Sequence, residues 1–325
     1  MAEQYVDKLS VTQIKSALDA QYLSASQTQA LFAPRNSVSG EASYTTPGTY
    51  SFIVPDGVIK LSAVAVGAGG AGGYTWSNGA GAGGALAWAD NIPVTAGQVI
   101  SITVPATTTS NPPANGASAV VGSFFTAAGG QYAGNGGIGG SPQSGTVTAN
   151  GGKGGNTYST SWQGGGGGAG GYTGAGGNGY YGPTGTTPFN GAGGGAGGGC
   201  GYDSSTYAFA GGGGVGINGR GTSGLWGSLS GQSSSPQNNG NSFYSDLRYS
   251  GPAGSGGENG APNSNGSTTS NLGRTQYSGE GGIYGGGGGG SGTSLSGTST
   301  FGRGAQGAVR IVWSTNPSYS IVTGA

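Results

Sequence analysis

Asp203, Asp246, Glu258 and Glu280 are the residues of this sequence best suited to working in pairs. Two facing carboxylates are the equipment of glycoside hydrolysis. These four are scattered through stretches rich in Gly, Ser and Asn, where a solvated acid is the expected role. Histidine is absent and Cys200 is the single cysteine, which excludes the usual zinc ligand sets and any internal disulfide. With 81 glycines among 325 residues, matches to G-x-G-x-x-G arise everywhere and carry no information. The stretch NGGKGGN (150–156) lacks the Ser or Thr that follows the lysine of a phosphate loop. Calcium-binding glycine repeats need aspartate in each turn, and the glycine runs have almost none. Asn265-Gly266-Ser267 matches a glycosylation acceptor, a coincidence expected of this composition. No catalytic residue, metal site or cofactor is therefore expected.

Recognition through aromatic residues is the chemistry that remains. The chain has 5 Trp, 17 Tyr and 8 Phe, which a purely flexible Gly/Ser tether would not use. Ten Lys+Arg balance ten Asp+Glu, and between Leu61 and Gly152 the only charged residue is Asp90. So little charge excludes polyelectrolyte disorder and a nucleic-acid partner, because phosphate binding needs clustered cations. The first twenty residues carry no apolar run, so neither a signal peptide nor a membrane span is expected, and folding is expected in a cytoplasm.

The elements that would position such residues fall into three groups. In residues 1–39, Ser10 with Gln13 and Ser24 with Gln27 read as helix starts. Val11, Ile14, Leu18 and Tyr22 follow at steps of three and four, and Leu31 and Phe32 close the second helix before Pro34. Helices this short are marginal alone and need a partner, so these six residues are the expected attachment or oligomerisation contacts. Residues 40–126 alternate as β-strands through Tyr50, Phe52 and Val54, through 58–66, 85–89 and 98–104, and near 117–126. Periodicity then lapses until GAVRIVW, where Val309, Ile311 and Trp313 alternate again. The last strand is expected to complete a small sheet begun some two hundred residues earlier, with the glycine-rich part inserted between.

Glycine loses more freedom on ordering than any other residue, so its runs need a conformation that only glycine can enter. Polyproline-II geometry is one: about 3.1 Å rise, three residues per turn, and N–H and C=O groups turned outward. Bare glycine segments in this form can approach closely enough to hydrogen bond sideways, where any Cβ would intervene. Such a bond is worth roughly 0.5–1.5 kcal/mol net, against about 1–2 kcal/mol of backbone entropy per residue. Apolar layers are expected to tip that balance, and Trp162, Tyr172, Phe209 and Tyr284 flank the runs. Eight runs, near 67–73, 81–84, 129–140, 151–155, 164–171, 191–199, 211–221 and 281–292, are each expected to cross a bundle once. Counting passes puts 74–80, 141–150, 172–190 and 222–280 at the end far from the sheet, and 156–163, 200–210 and 293–302 near it. The far group contains Tyr74, Trp76, Tyr180, Tyr181, Phe189, Trp226, Phe243, Tyr244 and Tyr249. Aromatic rings amid Asn, Ser and Thr make an adaptable binding surface, as in antibody loops.

Three stretches, GTYSFIVPDGVIKLSAVAVGAGGAGG, GGGGGAGGYTG and the closing GAQGAVRIVW, resemble the glycine-rich domain of tailed-bacteriophage fibre proteins, over about residues 40–313. The design is similar to the polyglycine-bundle adhesins at the tips of T-even-type long tail fibres. The stretch QYLSASQTQALFAP resembles the short helical repeats of trimeric phage fibres. The resemblance implies a non-enzymatic virion tail-fibre or tip adhesin that acts outside the cell. It would be a homotrimer held to other virion proteins by residues 1–39. Loops joining its polyglycine-II helices would bind a host surface glycan or outer-membrane protein, without membrane insertion. The alternatives are a structural virion decoration or spacer, and an ice-binding polyproline-II bundle.

The expected fold is mostly β and irregular, with short N-terminal helices, a small antiparallel β-sandwich and an inserted bundle of polyglycine-II helices with long loops. The expected domains are 1–39 for attachment, 40–126 plus 303–325 for the β-scaffold, and 127–302, together with 67–84, for the bundle.

Overall fold

The computed structural model describes residues 39–73, 79–109, 112–132, 147–156, 164–179, 191, 195–196, 211–224, 264–265, 276–277, 281–289, 302–313 and 321. The chain divides into two units, Met1–Val38 and Ser39–Ala325. The first, with Val11, Ile14, Leu18, Tyr22, Leu31 and Phe32, lies outside the described residues.

Among the described residues of the second unit there are eleven strands and no helix: β1 Gly40–Tyr44, β2 Gly48–Ile53, β3 Lys60–Val66, β4 Leu86–Pro93, β5 Val99–Val104, β6 Ala119–Val121, β7 Phe125–Ala127, β8 Val147–Ala149, β9 Ser264–Asn265, β10 Gln276–Tyr277 and β11 Ala308–Trp313. One antiparallel sheet has the order β1-β11-β3-β4-β8, another the order β2-β5-β6-β7, and β9 pairs with β10 alone. The mostly-β expectation holds. The closing strand enters the first sheet between β1 and β3, with Ala308 opposite Val66 and Ile311 opposite Ala63.

β3 and β11 are buried almost throughout, which is why KLSAVAV and AVRIVW read as continuous apolar runs. Cross-strand partners share a face. Val66, Val64, Leu86, Ala308 and Val312 therefore line one side of the sheet, and they pack with Ala169, Tyr172, Ala196, Val215, Ile217 and Ile321 from outside it. The alternate residues Leu61, Ala63, Ala65, Val309 and Ile311 are buried as well. On the second sheet Phe52, Ile100, Ile102, Val104, Val121 and Phe125 are buried, while Ile53 and Val99, opposite one another, are exposed. β3, β4 and β11 neighbour strands among β5, β6 and β7.

The single strand expected near 117–126 is instead the hairpin β6–β7. Gly122 turns it with φ +49°, and its N–H donates to the Ser101 carbonyl (2.7 Å). Residues 147–149, expected in a loop remote from the sheet, form β8 at its edge, with Leu86 opposite Ala149.

Beyond the sheet, the glycine segments bond to one another through the backbone in steps of three. The amides of Gly67, Gly70 and Gly73 donate to the carbonyls of Ala85, Ala82 and Gly79. Those of Ala68 and Ala71 donate to Ala117 and Ala114, and those of Gly69 and Gly72 to Ala305 and Gly302. All seven bonds are 2.9–3.1 Å long, and one segment thus serves three neighbours in turn. The next segment repeats the scheme: Ala80 and Gly83 donate to Gly155 and Gly152, Gly81 and Gly84 to Gly288 and Gly285, Ala82 and Ala85 to Gln131 and Ala128. A methyl group at Gly69 would overlap the Gly286 carbonyl oxygen, and one at Gly81 the Gly70 carbonyl oxygen.

These registers fix direction. The 67–73 segment leaves the sheet from β3, and 79–85 returns antiparallel to it into β4. Donation from Gly152 and Gly155 to Gly168 and Gly165 sets 151–155 antiparallel to 164–170, while Gly167 and Gly170 donate to Gly81 and Gly84, so 164–170 runs toward the sheet. Besides residues 147–149, the pass count from sequence is therefore corrected in three further places. The 172–173 turn sits at the sheet end, while Gly155 and Gly302 lie at the far end. Direction follows from which carbonyls each amide meets, and counting runs cannot supply that. The 114–117 segment belongs to the network too, although it holds a single glycine.

Gly81→Ala is expected to destabilise the protein by about 1–3 kcal/mol, because backbone on both sides must shift. Gly97→Ala, where nothing lies within 4 Å but φ is +75°, is expected to cost about 1–2 kcal/mol from conformation alone. Urea titrations of the two variants test this: the first should also lose amide protection around residues 67–85, the second should not.

Candidate functional site

Two ends of the glycine network differ in kind. At the sheet end Tyr172 is fully buried in the turn after the 164–171 run, and the chain doubles back there, with Gly171 N–H on the Gly174 carbonyl (2.8 Å). Its hydroxyl donates to the Gly216 carbonyl (3.3 Å) and accepts from the Gly219 amide (3.1 Å). Trp88, on β4, donates its indole N–H to the Tyr172 carbonyl (2.7 Å). Tyr172 thereby ties a third segment, 211–219, to the sheet face. Tyr284 packs against the same cluster. Two of the four aromatic residues expected to flank the runs thus lie in an apolar layer; Trp162 and Phe209 fall outside the described residues.

Charge in this layer is tied down. Arg310, nearly buried on β11, pairs with Glu41 on β1 (2.6 Å) and reaches the Ile217 carbonyl (3.5 Å). The Asp90 carboxylate accepts the Ile321 N–H (2.9 Å), which ties to β4 a fully buried isoleucine of the same apolar cluster. Tyr44 lies against Tyr50 with ring centroids 5.0 Å apart, and burial pushes its phenol above the ordinary range. Each of these groups holds elements together. The acids Asp203, Asp246, Glu258 and Glu280 lie outside the described residues. Among the described residues no group of three or more His, Cys, Asp or Glu stands where it could hold a metal ion. No helix among them is long and apolar enough to cross a membrane.

At the other end the bases of several chain excursions gather. Gly73 donates to Gly79, Ala80 to Gly155, Gly155 to Gly165, Gly81 to Gly288 and Gly72 to Gly302, all at 2.9 Å. From these ends the chain leaves toward residues 74–78, 157–163 and 290–301, and from Gly179, bonded to Lys153, toward 180–190. Lys153 and Arg303 are exposed close to this end. The described residues thus provide a scaffold on which loop bases converge, opposite the sheets. The nine aromatic residues singled out for recognition, Tyr74, Trp76, Tyr180, Tyr181, Phe189, Trp226, Phe243, Tyr244 and Tyr249, all lie outside the described residues.

The chain enters the first sheet at Gly40, which pairs with Trp313. That is the sheet end remote from the glycine network, because Val66 and Ala308 mark the near end. The Trp313 indole lies over Gly40 and contacts Phe52, ring centroids 5.3 Å apart, joining β11 to β2 of the other sheet. Sequence reasoning missed β1, Ile321 and the roles of Trp88 and Arg310. The alternation of Glu41 and Ser43 with small residues is too weak a strand signal to have given the first.

No protein-family model matches the chain, and no curated protein matches it.

Tyr172→Phe is expected to lower stability by roughly 1–3 kcal/mol, since it strips a buried hydroxyl from the Gly216 carbonyl and Gly219 amide. Denaturant unfolding measures the loss. Amide exchange at Gly219 should quicken, while exchange in β5 stays slow.

Proposed function

We propose that the protein is a bacteriophage virion fibre or tip adhesin, built as a small antiparallel β-sandwich bearing a bundle of polyglycine-II helices. The bundle presents joining loops to a host surface glycan or outer-membrane protein. Residues 1–39 hold the protein, as a homotrimer, to other virion proteins, and the chain works without catalysis or a cofactor, outside the cell in which it folds.

The observation that carries this reading is the three-step register of backbone bonds between glycine segments. Three residues per turn, with successive amides pointing to three different neighbours, is the geometry expected of packed polyglycine-II helices. A seven-residue segment such as 67–73 would then span about 22 Å. The converging loop bases add support, because a receptor site on loops needs a stiff base. So does the position of Gly40, where the chain enters the first sheet, at the end of the sheet remote from those loop bases. The paired contacts of β3, β4 and β11 with β5–β7 support the sandwich.

The binding candidates remain Tyr74, Trp76, Tyr180, Tyr181, Phe189, Trp226, Phe243, Tyr244 and Tyr249. Tyr74 and Trp76 rank first on geometry, since Gly73 and Gly79 fix their loop base at the far end. Trimming is best confined to 226–279, because Gly224 bonds to Gly195 within the network.

Purified protein is expected to adsorb to host bacteria. Tyr74→Ala with Trp76→Ala, or trimming of 226–279, should reduce adsorption at least tenfold while leaving amide protection across 67–85 intact. Adsorption indifferent to both changes would instead favour a structural spacer in the virion.

A further inference from the structure

The network of backbone bonds ends at side chains. At three places an Asn or Thr side-chain oxygen, rather than a further carbonyl, takes the amide. Asn115 Oδ1 accepts the Tyr132 N–H (2.9 Å), on a segment whose Gly130 amide donates to Ala68. Asn178 Oδ1 accepts the Lys153 N–H (2.8 Å), flanked by Gly152 and Gly155 amides that donate to Gly168 and Gly165. Thr108 Oγ1 accepts the Gly304 N–H (2.8 Å), and the Thr108 amide donates to the Gly304 carbonyl (3.1 Å).

A segment of this kind offers bonding groups in several directions, so a bundle of them has an open perimeter all round. That is the hazard of an unpaired sheet edge, extended from two directions to many. Glycine makes it acute, because no Cβ keeps a second glycine segment away. A side-chain acceptor rooted in the same molecule satisfies the amide and places atoms in the space an incoming backbone would need.

We propose that Asn115 and Asn178 are terminators of the glycine network, which keep it from being extended by the glycine segments of a second copy of this chain; Thr108, which is buried, satisfies an amide of the same kind inside the fold. The inference rests on the reading of these segments as a polyglycine-II bundle and goes beyond the adhesin function. What they guard is a latent self-association perimeter, closed by small polar side chains rather than by charge. Charge is scarce on it: Lys153, Arg220 and Arg303 are the charged residues among the described parts of the network, and three cations spread over it cannot repel a neighbour from every side.

The test is sedimentation of the full-length protein over a hundredfold range of concentration. The parent should keep one mass throughout, whatever its own oligomeric state. The double variant Asn115→Ala/Asn178→Ala should grow in mean mass at least fivefold with concentration, while Thr107→Val, at an exposed position, should not. The single variants Asn115→Ala and Asn178→Ala, each at a position at least partly exposed, decide the matter if the pair of changes unfolds the chain. Amide exchange is read on the same samples. A protected 67–85 segment with unchanged mass in the double variant overturns the terminator role and leaves the bundle reading standing. Rapid exchange there in the parent itself overturns the bundle reading, and the terminator role with it.

Discussion

The described glycine segments depend on one contact, the approach of a bare backbone amide to a carbonyl on another segment. The bond itself is ordinary, near 2.9 Å and worth about 1 kcal/mol net. Its geometry is what constrains the sequence. Carbonyl oxygens of neighbouring segments occupy the space where Cβ atoms would stand at Gly69, Gly81, Gly83 and Gly154. Glycine is required there by proximity rather than by backbone conformation, since these positions carry no positive φ. Alanine does occur within the same segments, at Ala68, Ala71, Ala80 and Ala82, fully buried. The pattern of glycine and alanine along a segment is thus a record of which residues face a neighbouring backbone and which face a gap between backbones.

Bonds of this strength do not by themselves repay the entropy of fixing glycine, which is about 1–2 kcal/mol per residue. The structure supplements them at the sheet. Tyr172, Val215, Ile217, Ala169 and Ala196 come from glycine-rich segments and bury themselves against Val64, Val66, Leu86 and Val312. Burial of a large side chain contributes roughly 1.5–3 kcal/mol, so a few such residues offset the ordering of several glycines. This explains why one face of the sheet reads as apolar where an exposed sheet would be polar, and why Arg310, whose guanidinium points into that layer, is neutralised by Glu41.

The β-elements were largely legible in the sequence, because alternation of buried and exposed residues is a local property. Phe52 buried between exposed Ser51 and Ile53 is a direct case. The closing strand was legible for the same reason. What failed was topology within the glycine-rich part. Composition reveals where a segment can approach another, but not which one, nor in which direction. The 114–117 segment was hidden because only Gly116 is a glycine; the relevant signal was a run of small residues, Ala114 to Ser118, following Pro112 and Pro113. Tyr172 was placed at the wrong end because the two-residue reversal at 172–173 is shorter than any pass count allows for. Ile321 was illegible altogether, since its burial depends on Asp90, more than two hundred residues earlier.

A scaffold held this way has a particular functional logic. Every segment is fixed by neighbours on several sides, so a change in the residues that join two segments leaves their own bonds in place. Gly73 and Gly79 remain paired whatever lies between them, and the same holds for Gly155 and Gly165. Changes of length and composition between such bonded ends are therefore expected to cost the rest of the network little, a property that suits the proposed adhesin role. The same independence does not extend to the sheet end, where Tyr172, Trp88 and Arg310 bind three parts of the chain at once. Because backbone bonds hold one end of the network and side chains the other, substitution is expected to cost less at the first end than at the second.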